Sequence, residues 1–423
     1  MSRTGWQRQV VDVVRKHRPD YRIVLYMGLL MLFGLIVIYA IGPQRANVLN
    51  SSYGSNYSDV YFFIKQAVSL VLALGAFAAM AFISYKWLSR RSWLFLGIGL
   101  GACLLLFLTS EMGLPIAQCS LGACRWFDLG ALGSLQPAEI VKFGLLVYTA
   151  SFLAAKVKEG KLNSLKETLI PLGIILMVAM GFIVVIQKDL GTGIALTAIV
   201  ITMLFVAGLS KKILLLLLGA LLVTGVIFIM SAPHRIERVL TYLQGDNTSI
   251  EDDGSYHVQH AKIAIGSGGL FGLGIGNSVE ATGYLPEAIN DSVFAIMAET
   301  FGFIGSVAII VLFVALLMRL LKVMDHLVDM HMKLLVAGVF GWFGAHVILN
   351  IAAMTGIFPL TGITLPLLSF GGTSMIFIAA ALGLTFQLSR YTIHPSRLKE
   401  ADHESSSSRR GIGRTRYTGR SSS

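Results

Sequence analysis

The residues best suited to do chemistry lie in the most polar part of the chain, residues 232–292. Asp291 ends that segment, directly before a hydrophobic run, so its carboxylate would lie at the mouth of a cavity between helices, where it could take a proton. The same position suits a helix N-cap, for which Asp and Asn are favoured. Glu299, two turns further on, would be buried among the helices, and ionisable groups inside a membrane are functional candidates. Catalysis and capping both stay open for Asp291.

A glycine-rich string, Gly266-Ser-Gly-Gly-Leu-Phe-Gly-Leu-Gly-Ile-Gly276, comes shortly before Asp291. No strand is predicted before it, so a nucleotide-binding Walker or Rossmann loop is not indicated. Two interpretations remain. The string is either a tight loop or close helix contact, or a set of backbone amides that lines a site for a diphosphate.

A second polar cluster runs from Arg125 to Lys142. Arg125 beside Trp126 fits either an aromatic belt at a membrane interface or a grip on a phosphate. Pro137 suits the first turn of a helix, which places Glu139 near the positive end of the helix dipole. Because Glu139 and Lys142 share a face of that helix, they predict a buried ion pair.

Two further polar segments are Gln187-Lys-Asp-Leu-Gly-Thr192 and the uncharged residues 359–374. With Lys and Arg in every second loop, all four segments fall on the outer side of a membrane, which favours one composite site. Cys119 and Cys124 lie in an outer loop on the same side. Because the outer compartment is oxidising, we predict that they form a disulfide that stiffens the approach to Arg125.

Composition places the chain in a membrane. Its 423 residues are 55% hydrophobic and only 13% charged, with a mean hydropathy of +0.72, whereas soluble proteins carry about 25% charged residues. The net charge of +11 could suggest nucleic acid. However, the Lys and Arg residues form short clusters between apolar runs and in the two tails. That positive-inside pattern, with tails suited to anionic lipid, argues against a nucleic-acid partner.

Apolar runs near the ~20 residues of a membrane helix recur about ten times. Residues 334–389 contain no Asp, Glu, Lys or Arg and are broken by Gly and Pro, which predicts two helices joined by a partly embedded loop. We therefore predict an all-α polytopic bundle of about ten helices, with a large outer loop between helices 7 and 8. The other predicted spans are residues 23–41, 67–83, 93–108, 140–155, 169–186, 190–209, 213–230 and 300–317.

Lys and Arg fill every second loop, so both chain ends are predicted to face the cytoplasm and the number of spans to be even. The predicted parts are three. Residues 1–21 form a basic amphipathic N-terminus on the inner surface, residues 22–389 form the membrane domain, and residues 390–423 form a Ser- and Arg-rich disordered tail. No His and carboxylate residues have metal-ligand spacing.

As an ordered set, these motifs resemble the SEDS family (shape, elongation, division and sporulation), the FtsW/RodA/SpoVE group, from about residue 23 to residue 388. Residues 59–66 are more similar to the FtsW branch. The motifs are Arg125-Trp126 with Gln136-Pro-Ala-Glu-x-x-Lys142, Asp189-Leu-Gly-Thr192, Gly266-Ser-Gly-Gly with Gly272-x-Gly-x-Gly276, Leu285-Pro-Glu-x-x-x-Asp291, Gly302-Phe-Ile-Gly305, and Pro359-x-Thr-Gly-x-x-Leu-Pro-x-x-Ser-Phe-Gly-Gly-x-Ser374.

The resemblance implies a multi-pass bacterial cell-membrane enzyme that polymerises lipid II into glycan strands outside the membrane. It carries the family's essential Asp onto Asp291. The family pattern is not kept at Lys188, His260, Ala281, Ile289 and Asn290, which changes the surroundings of the Asp. Substrate-binding residues are expected at Arg125, Gln136, Glu139, Lys142, Asp189, Arg235, His260, Ser278, Pro366 and Ser369.

For such an enzyme the reaction is glycosyl transfer with a lipid diphosphate leaving group and inversion at the anomeric carbon. Asp291 would take the proton of the acceptor hydroxyl. Arg125, Lys142 and Arg235, in that order, or a divalent Mg²⁺ or Mn²⁺ ion would stabilise the leaving diphosphate. The expected partners are lipid II, a single-span class B penicillin-binding protein and other division proteins.

Two other functions stay open. A flippase for the lipid-linked precursor would use the same helices, but it needs a path that opens to each side in turn. A scaffold that only recruits division proteins would leave the polar loops without a purpose. The enzyme is favoured because the charged residues near the membrane interior cluster toward the outer side; they are Arg125, Glu139, Lys142, Asp291 and Glu299.

Overall fold

The computed structural model describes residues 17–120, 123–130, 133–230 and 253–392. The predictions for Arg235, for residues 1–16 and for residues 393–423 lie outside these residues. Within them, α-helices dominate. The helices are α1 Tyr21–Tyr53, α2 Tyr61–Phe82, α3 Tyr85–Arg90, α4 Ser92–Glu111, α5 Pro137–Lys158, α6 Ile170–Met180, α7 Leu190–Ala207, α8 Lys211–Met230, α9 Asp253–Ser267, α10 Val293–Asp325, α11 Met330–Met354 and α12 Gly372–Leu388.

Nine helical segments of the described residues are long and apolar enough to cross a membrane. They comprise α1, α2, α4, α5, α6 with its π-helical ends Leu165–Leu169 and Gly181–Ile186, α7, α10, α11 and α12. A further apolar helix of 20 residues, α8, covers the predicted span 213–230. The predicted all-α polytopic bundle is confirmed, although the predicted span 300–317 was too short because α10 has 33 residues.

A small antiparallel sheet, absent from the all-α prediction, stands between α4 and α5. Its strands are β1 Ala117–Ser120, β2 Ala123–Asp128 and β3 Ser134–Leu135, in the order β1-β2-β3. Cys119 pairs with Cys124 across the first two strands, and the two residues form a disulfide. The hairpin is therefore closed covalently beside Arg125, the next residue of β2.

Close helix packing relies on glycines, because lipid gives helices little hydrophobic reason to associate. A Cβ at Gly144 of α5 would lie 2.8 Å from Leu96 Cα of α4, and one at Gly383 of α12 would lie 2.3 Å from Phe77 O of α2. The most enclosed helices are α11 and α12. In their apolar 18-residue segments 72% and 78% of the residues are buried, against 22% in the corresponding segment of α2. These two helices form the centre of the bundle.

The glycine string packs on a kink in α10. Gly302 has φ 68° and ψ −166°, a conformation that essentially only glycine adopts. Two amides of the string, Leu273 N and Gly274 N, and two of its carbonyls, Gly269 O and Leu270 O, are engaged in this contact. The helix-contact interpretation is therefore confirmed, and the diphosphate interpretation stays a prediction. The hydrogen bonds across the kink are Leu273 N to Glu299 O, 2.9 Å; Gly274 N to Thr300 O, 3.1 Å; Phe303 N to Gly269 O, 2.8 Å; and Ile304 N to Leu270 O, 3.2 Å.

Gly302→Ala should destabilise the folded protein by about 2–4 kcal/mol, because the new Cβ is strained at a positive φ and would lie 2.3 Å from Gly272 N. Thermal unfolding of the detergent-solubilised protein measures this. Gly97→Ala, in α4 with no atom within 4 Å of its new Cβ, is the matched control and should keep or raise the unfolding temperature. Equal unfolding temperatures for the two variants would contradict the proposed role of the kink.

Candidate functional site

Asp291 lies in the turn that leads into α10, and the residue is only 9% exposed. The N-cap of α10 is Ser292, whose side chain makes no capping hydrogen bond, so the N-cap interpretation of Asp291 is wrong. Its Oδ1 is buried and has no hydrogen-bond partner. A buried acceptor without a partner is costly, which leaves this oxygen available to a ligand hydroxyl.

The surroundings of Asp291 bring its protonation into the neutral range. Burial raises the pKa of Asp291 from its ordinary 3.8 to about 7, and the charge of Glu287 adds to that rise. Hydrogen bonds from its own N–H and from Ser292 oppose the shift. A carboxylate with a pKa near the working pH suits a general base.

Asn350 of α11 joins the Asp291 turn to the loop between α11 and α12. Its Nδ2 donates to Asp291 O and to Ile363 O, each at 2.7 Å. In the same loop, Phe370 N donates to Ile289 O at 2.8 Å. These bonds fix the backbone of Asp291 against a second segment of the predicted site.

Pro366 and Ser369 belong to that joined loop. Ser369 Oγ accepts from Leu365 N at 2.8 Å, which closes a short turn around Pro366. Leu367 follows with φ 68°, a rare conformation for a branched residue that is held by the surrounding contacts. The structure therefore brings Pro366 and Ser369 into the same assembly as Asp291.

A buried polar network under this loop contains Lys142 and Glu139. Lys142 Nζ lies 2.7 Å from Glu139 Oε1 and 3.3 Å from His346 Nε2, and its side chain is fully buried. His346 lies one turn before Asn350 on α11, and its Nδ1 is 3.4 Å from Thr364 O. The predicted ion pair is present, and Lys142 is enclosed by partners rather than exposed toward a ligand.

Arg125, Gln136 and Asp189 meet at the turn before α7. Arg125 donates to Gln187 O at 3.0 Å and to Lys188 O at 2.8 Å, and Gln136 Nε2 donates to Asp189 Oδ2 at 3.2 Å. Asp189 caps α7. The three predicted residues are thus together, and Arg125, with five N–H donors, keeps donors beyond these two bonds.

His260 and Ser278 belong to a cluster around Glu299 of α10. Ser278 Oγ donates to Glu299 Oε2 at 2.5 Å, and Val279 N donates to Glu299 Oε1 at 2.9 Å. His260 Nδ1 is 2.7 Å from Glu280 Oε2. Glu299, predicted as a functional candidate, is fully buried and holds the loop of residues 278–281 in place.

Two site residues were not found from the sequence. His346 and Asn350 connect the Lys142 network to Asp291, and they are the polar side chains of an otherwise apolar helix centre. Their spacing of one helical turn in an uncharged run was the available signal. His257 of α9 lies beside the N-cap of α10, with its Nε2 2.5 Å from Ser292 Oγ.

The model of the FtsW/RodA/SpoVE family, described as "Cell cycle protein", matches residues 21–394. The chain belongs to this family. Stage V sporulation protein E of Bacillus subtilis (strain 168) is 32% identical over 382 residues, which cover 89% of this chain and 99% of that protein. A protein named "Probable peptidoglycan glycosyltransferase FtsW" from Taylorella equigenitalis is 32% identical over 371 residues, covering 86% and 94%.

Solved structures of SEDS proteins share the fold. A chain of a peptidoglycan synthase complex, studied for the coordination of polymerization and crosslinking, has a TM-score of 0.69 and 26% identity, and the match covers 88% of this chain and 98% of that chain. The rod shape determining protein RodA of Thermus thermophilus has a TM-score of 0.62 and 24% identity, covering 89% and 98%. The predicted membership of the SEDS family and the multi-pass membrane fold are confirmed.

Asn350→Ala should lower the free energy of unfolding by about 1–3 kcal/mol, because two buried carbonyls lose their donor. Asn277→Ala removes an equivalent amide that donates to a backbone carbonyl, Leu273 O, but at an exposed position, and should cost less than about 1 kcal/mol. Denaturant unfolding of both variants in detergent checks the difference. A cost for Asn350→Ala no larger than for Asn277→Ala would contradict the role of Asn350 in joining the Asp291 turn to the loop before α12.

Proposed function

We propose that this chain is a peptidoglycan glycosyltransferase that extends a glycan strand from lipid II, with Asp291 as the general base. Its membership of the SEDS family and the names of its relatives support the activity. The observation that carries the assignment is the buried Asp291 carboxylate, which has an oxygen without a partner and a pKa raised to about 7.

The acceptor sugar hydroxyl has a pKa far above neutrality and attacks poorly without help. Asp291 Oδ1 accepts its proton as the new glycosidic bond forms, which is typically worth about 10²–10⁴ in rate. The attack displaces the lipid diphosphate from the opposite face of the sugar, so an α-linked donor gives a β-linked glycan. The proton ends on Asp291 and the electron pair on the diphosphate oxygen.

The leaving diphosphate gains negative charge, and cations lower the barrier when they face it. Of the two predicted cations within the described residues, Arg125 keeps accessible N–H donors, whereas Lys142 is buried against Glu139. We therefore assign the diphosphate contact to Arg125 and a positioning role to Lys142, through His346 and the Thr364 carbonyl. Arg235 keeps its predicted role from the sequence.

A Mg²⁺ or Mn²⁺ ion at the diphosphate stays a prediction. Across the described ranges, no group of three or more His, Cys, Asp or Glu side chains could hold a metal ion. Such an ion would depend on phosphate oxygens of the substrate with one or two carboxylates, as Mg²⁺ does in many phosphate sites, and would neutralise charge on the leaving group.

The placement of charges favours polymerisation over flipping. Glu139 and Lys142 lie in the first two turns of α5, and Glu299 lies in the second turn of α10. Asp291 lies two residues before α10, so these charges gather near one end of the bundle. A flippase would need charged groups spaced across the bilayer, whereas the middle turns of the described spans carry no Asp, Glu, Lys or Arg.

The family setting supports an assembly in the bacterial cell membrane. We propose that both termini face the cytoplasm, as the Lys and Arg pattern predicts, and that the site opens on the outer side. The proposed partner is a class B penicillin-binding protein, whose transpeptidase would cross-link the new glycan. Other division proteins would place the pair at the septum.

Asp291→Asn should abolish polymerisation of purified lipid II by the full-length protein with its partner. It should also leave the unfolding temperature at pH 8 unchanged or higher. Because burial raises the pKa of Asp291, the folded state binds that proton more tightly, and stability falls as pH rises from about 4 to about 7. Because the amide of Asp291→Asn does not ionise, the variant avoids this loss of stability. Glycan from a folded Asp291→Asn protein would contradict the assignment.

The polymerisation rate should rise with pH through about 7, since the base must be unprotonated. Glu287→Gln removes a negative charge that raises the pKa of Asp291, so its pH profile should move to lower pH. Glu111→Gln, the same charge change at a residue that does not influence Asp291, is the control and should leave the profile in place. Identical profiles for all three proteins would contradict Asp291 as the titrating base.

A further inference from the structure

A cavity of about 620 Å³ lies at the opposite end of the bundle from Asp291. Residues before and at the start of α1 line it, together with the last turns of α10 and the end of α12. Its size is within the ~300–1,000 Å³ of small-molecule sites. The Lys and Arg pattern of the loops predicts that this end faces the cytoplasm.

The lining of this cavity is strongly cationic. It contains Arg18, Arg22, Arg319 and Lys322, against a single carboxylate, Asp20. Both oxygens of Asp20 are engaged, because Oδ2 accepts from Arg319 Nε and Oδ1 accepts from Arg22 N at 3.2 Å. Among the described residues, the side chains of Arg18, Arg22 and Lys322 therefore have no carboxylate partner. A cavity lined by three uncompensated cationic side chains favours the binding of an anionic ligand.

Two exposed apolar stripes end at this cavity. On α10, Val307, Val311, Val314 and Met318 are 39–57% exposed at helical spacing, and the next residue on that face is Lys322 of the cavity wall. On α1 the stripe begins at Tyr21, itself part of the wall. It continues along α1 through Leu25, Leu32, Ile36 and Tyr39, which are 37–60% exposed.

A cationic cavity at the end of two exposed apolar stripes matches the charge and the apolar chains of an anionic phospholipid. Acyl chains lie along exposed helix stripes, and an anionic phosphate lies where basic side chains gather at the cytoplasmic end of helices. The chain's own tails carry a net positive charge. Residues 1–16 carry four Lys or Arg against one Asp, and residues 393–423 carry seven against three Asp or Glu.

We propose that this cavity binds the headgroup of an anionic glycerophospholipid of the inner leaflet, with its acyl chains along α1 and α10. The site is independent of the Asp291 chemistry. Since α10 also carries the Gly302 kink that holds the glycine string, a lipid bound here contacts the far end of the helix that follows Asp291.

Native mass spectrometry of the full-length protein in detergent tests the proposal. Dioleoylphosphatidylglycerol should bind in preference to dioleoylphosphatidylcholine, and millimolar glycerol 3-phosphate or inorganic phosphate should not displace it. The double variant Arg22→Gln/Lys322→Gln should weaken phosphatidylglycerol binding about 30-fold. If that variant does not fold, Arg18→Gln alone should weaken binding by several-fold.

The control is Lys86→Gln/Arg90→Gln, which makes the same charge change at exposed residues of the same end outside the cavity. It should keep the affinity of the unmodified protein. Three results would overturn the proposal: equal loss in both double variants, equal binding of the two lipids, or displacement by soluble phosphate. The first would indicate general surface charge, and the last a site for a soluble anion.

Discussion

The site depends on keeping the Asp291 carboxylate buried at the start of a membrane helix. An ionised carboxylate loses solvation on burial, so it is held only because its backbone is fixed and neighbouring N–H groups oppose part of the cost. The cost is what brings its pKa to about 7. A more exposed or better-paired Asp would stay charged at neutral pH but would be a weaker base.

The fixing elements come from distant parts of the chain. Asn350 donates to the Asp291 turn and to the loop before α12, while the glycine string presses on the kink one turn beyond Glu299. The most enclosed helices, α11 and α12, carry these contacts into the centre of the bundle. The polar residues of the site are mostly bonded to each other because they hold the Asp291 carboxylate and the Arg125 guanidinium in position.

Apolar runs were sufficient to locate the membrane-spanning helices, although not their ends, because each span must be about 20 apolar residues whatever its neighbours. The Glu139–Lys142 pair was predictable for the same local reason. The Gly302 kink, the small sheet and the roles of His346 and Asn350 were not, since each depends on contacts between segments far apart in sequence. The sequence alone did not distinguish a catalytic Asp291 from a helix N-cap, because both fit a residue before an apolar run. The structure places Ser292 at the N-cap of α10.

The most direct test of this account is the titration of the Asp291 carboxyl itself. Infrared difference spectra of the full-length protein minus Asp291→Asn, recorded from pH 4 to pH 9, report the protonated carboxylic acid without any need for turnover. The account predicts a carboxylic acid band that disappears with a midpoint near pH 7. A midpoint near pH 4, the value of an ordinary exposed Asp, would contradict the claim that burial makes this residue a base matched to neutral pH.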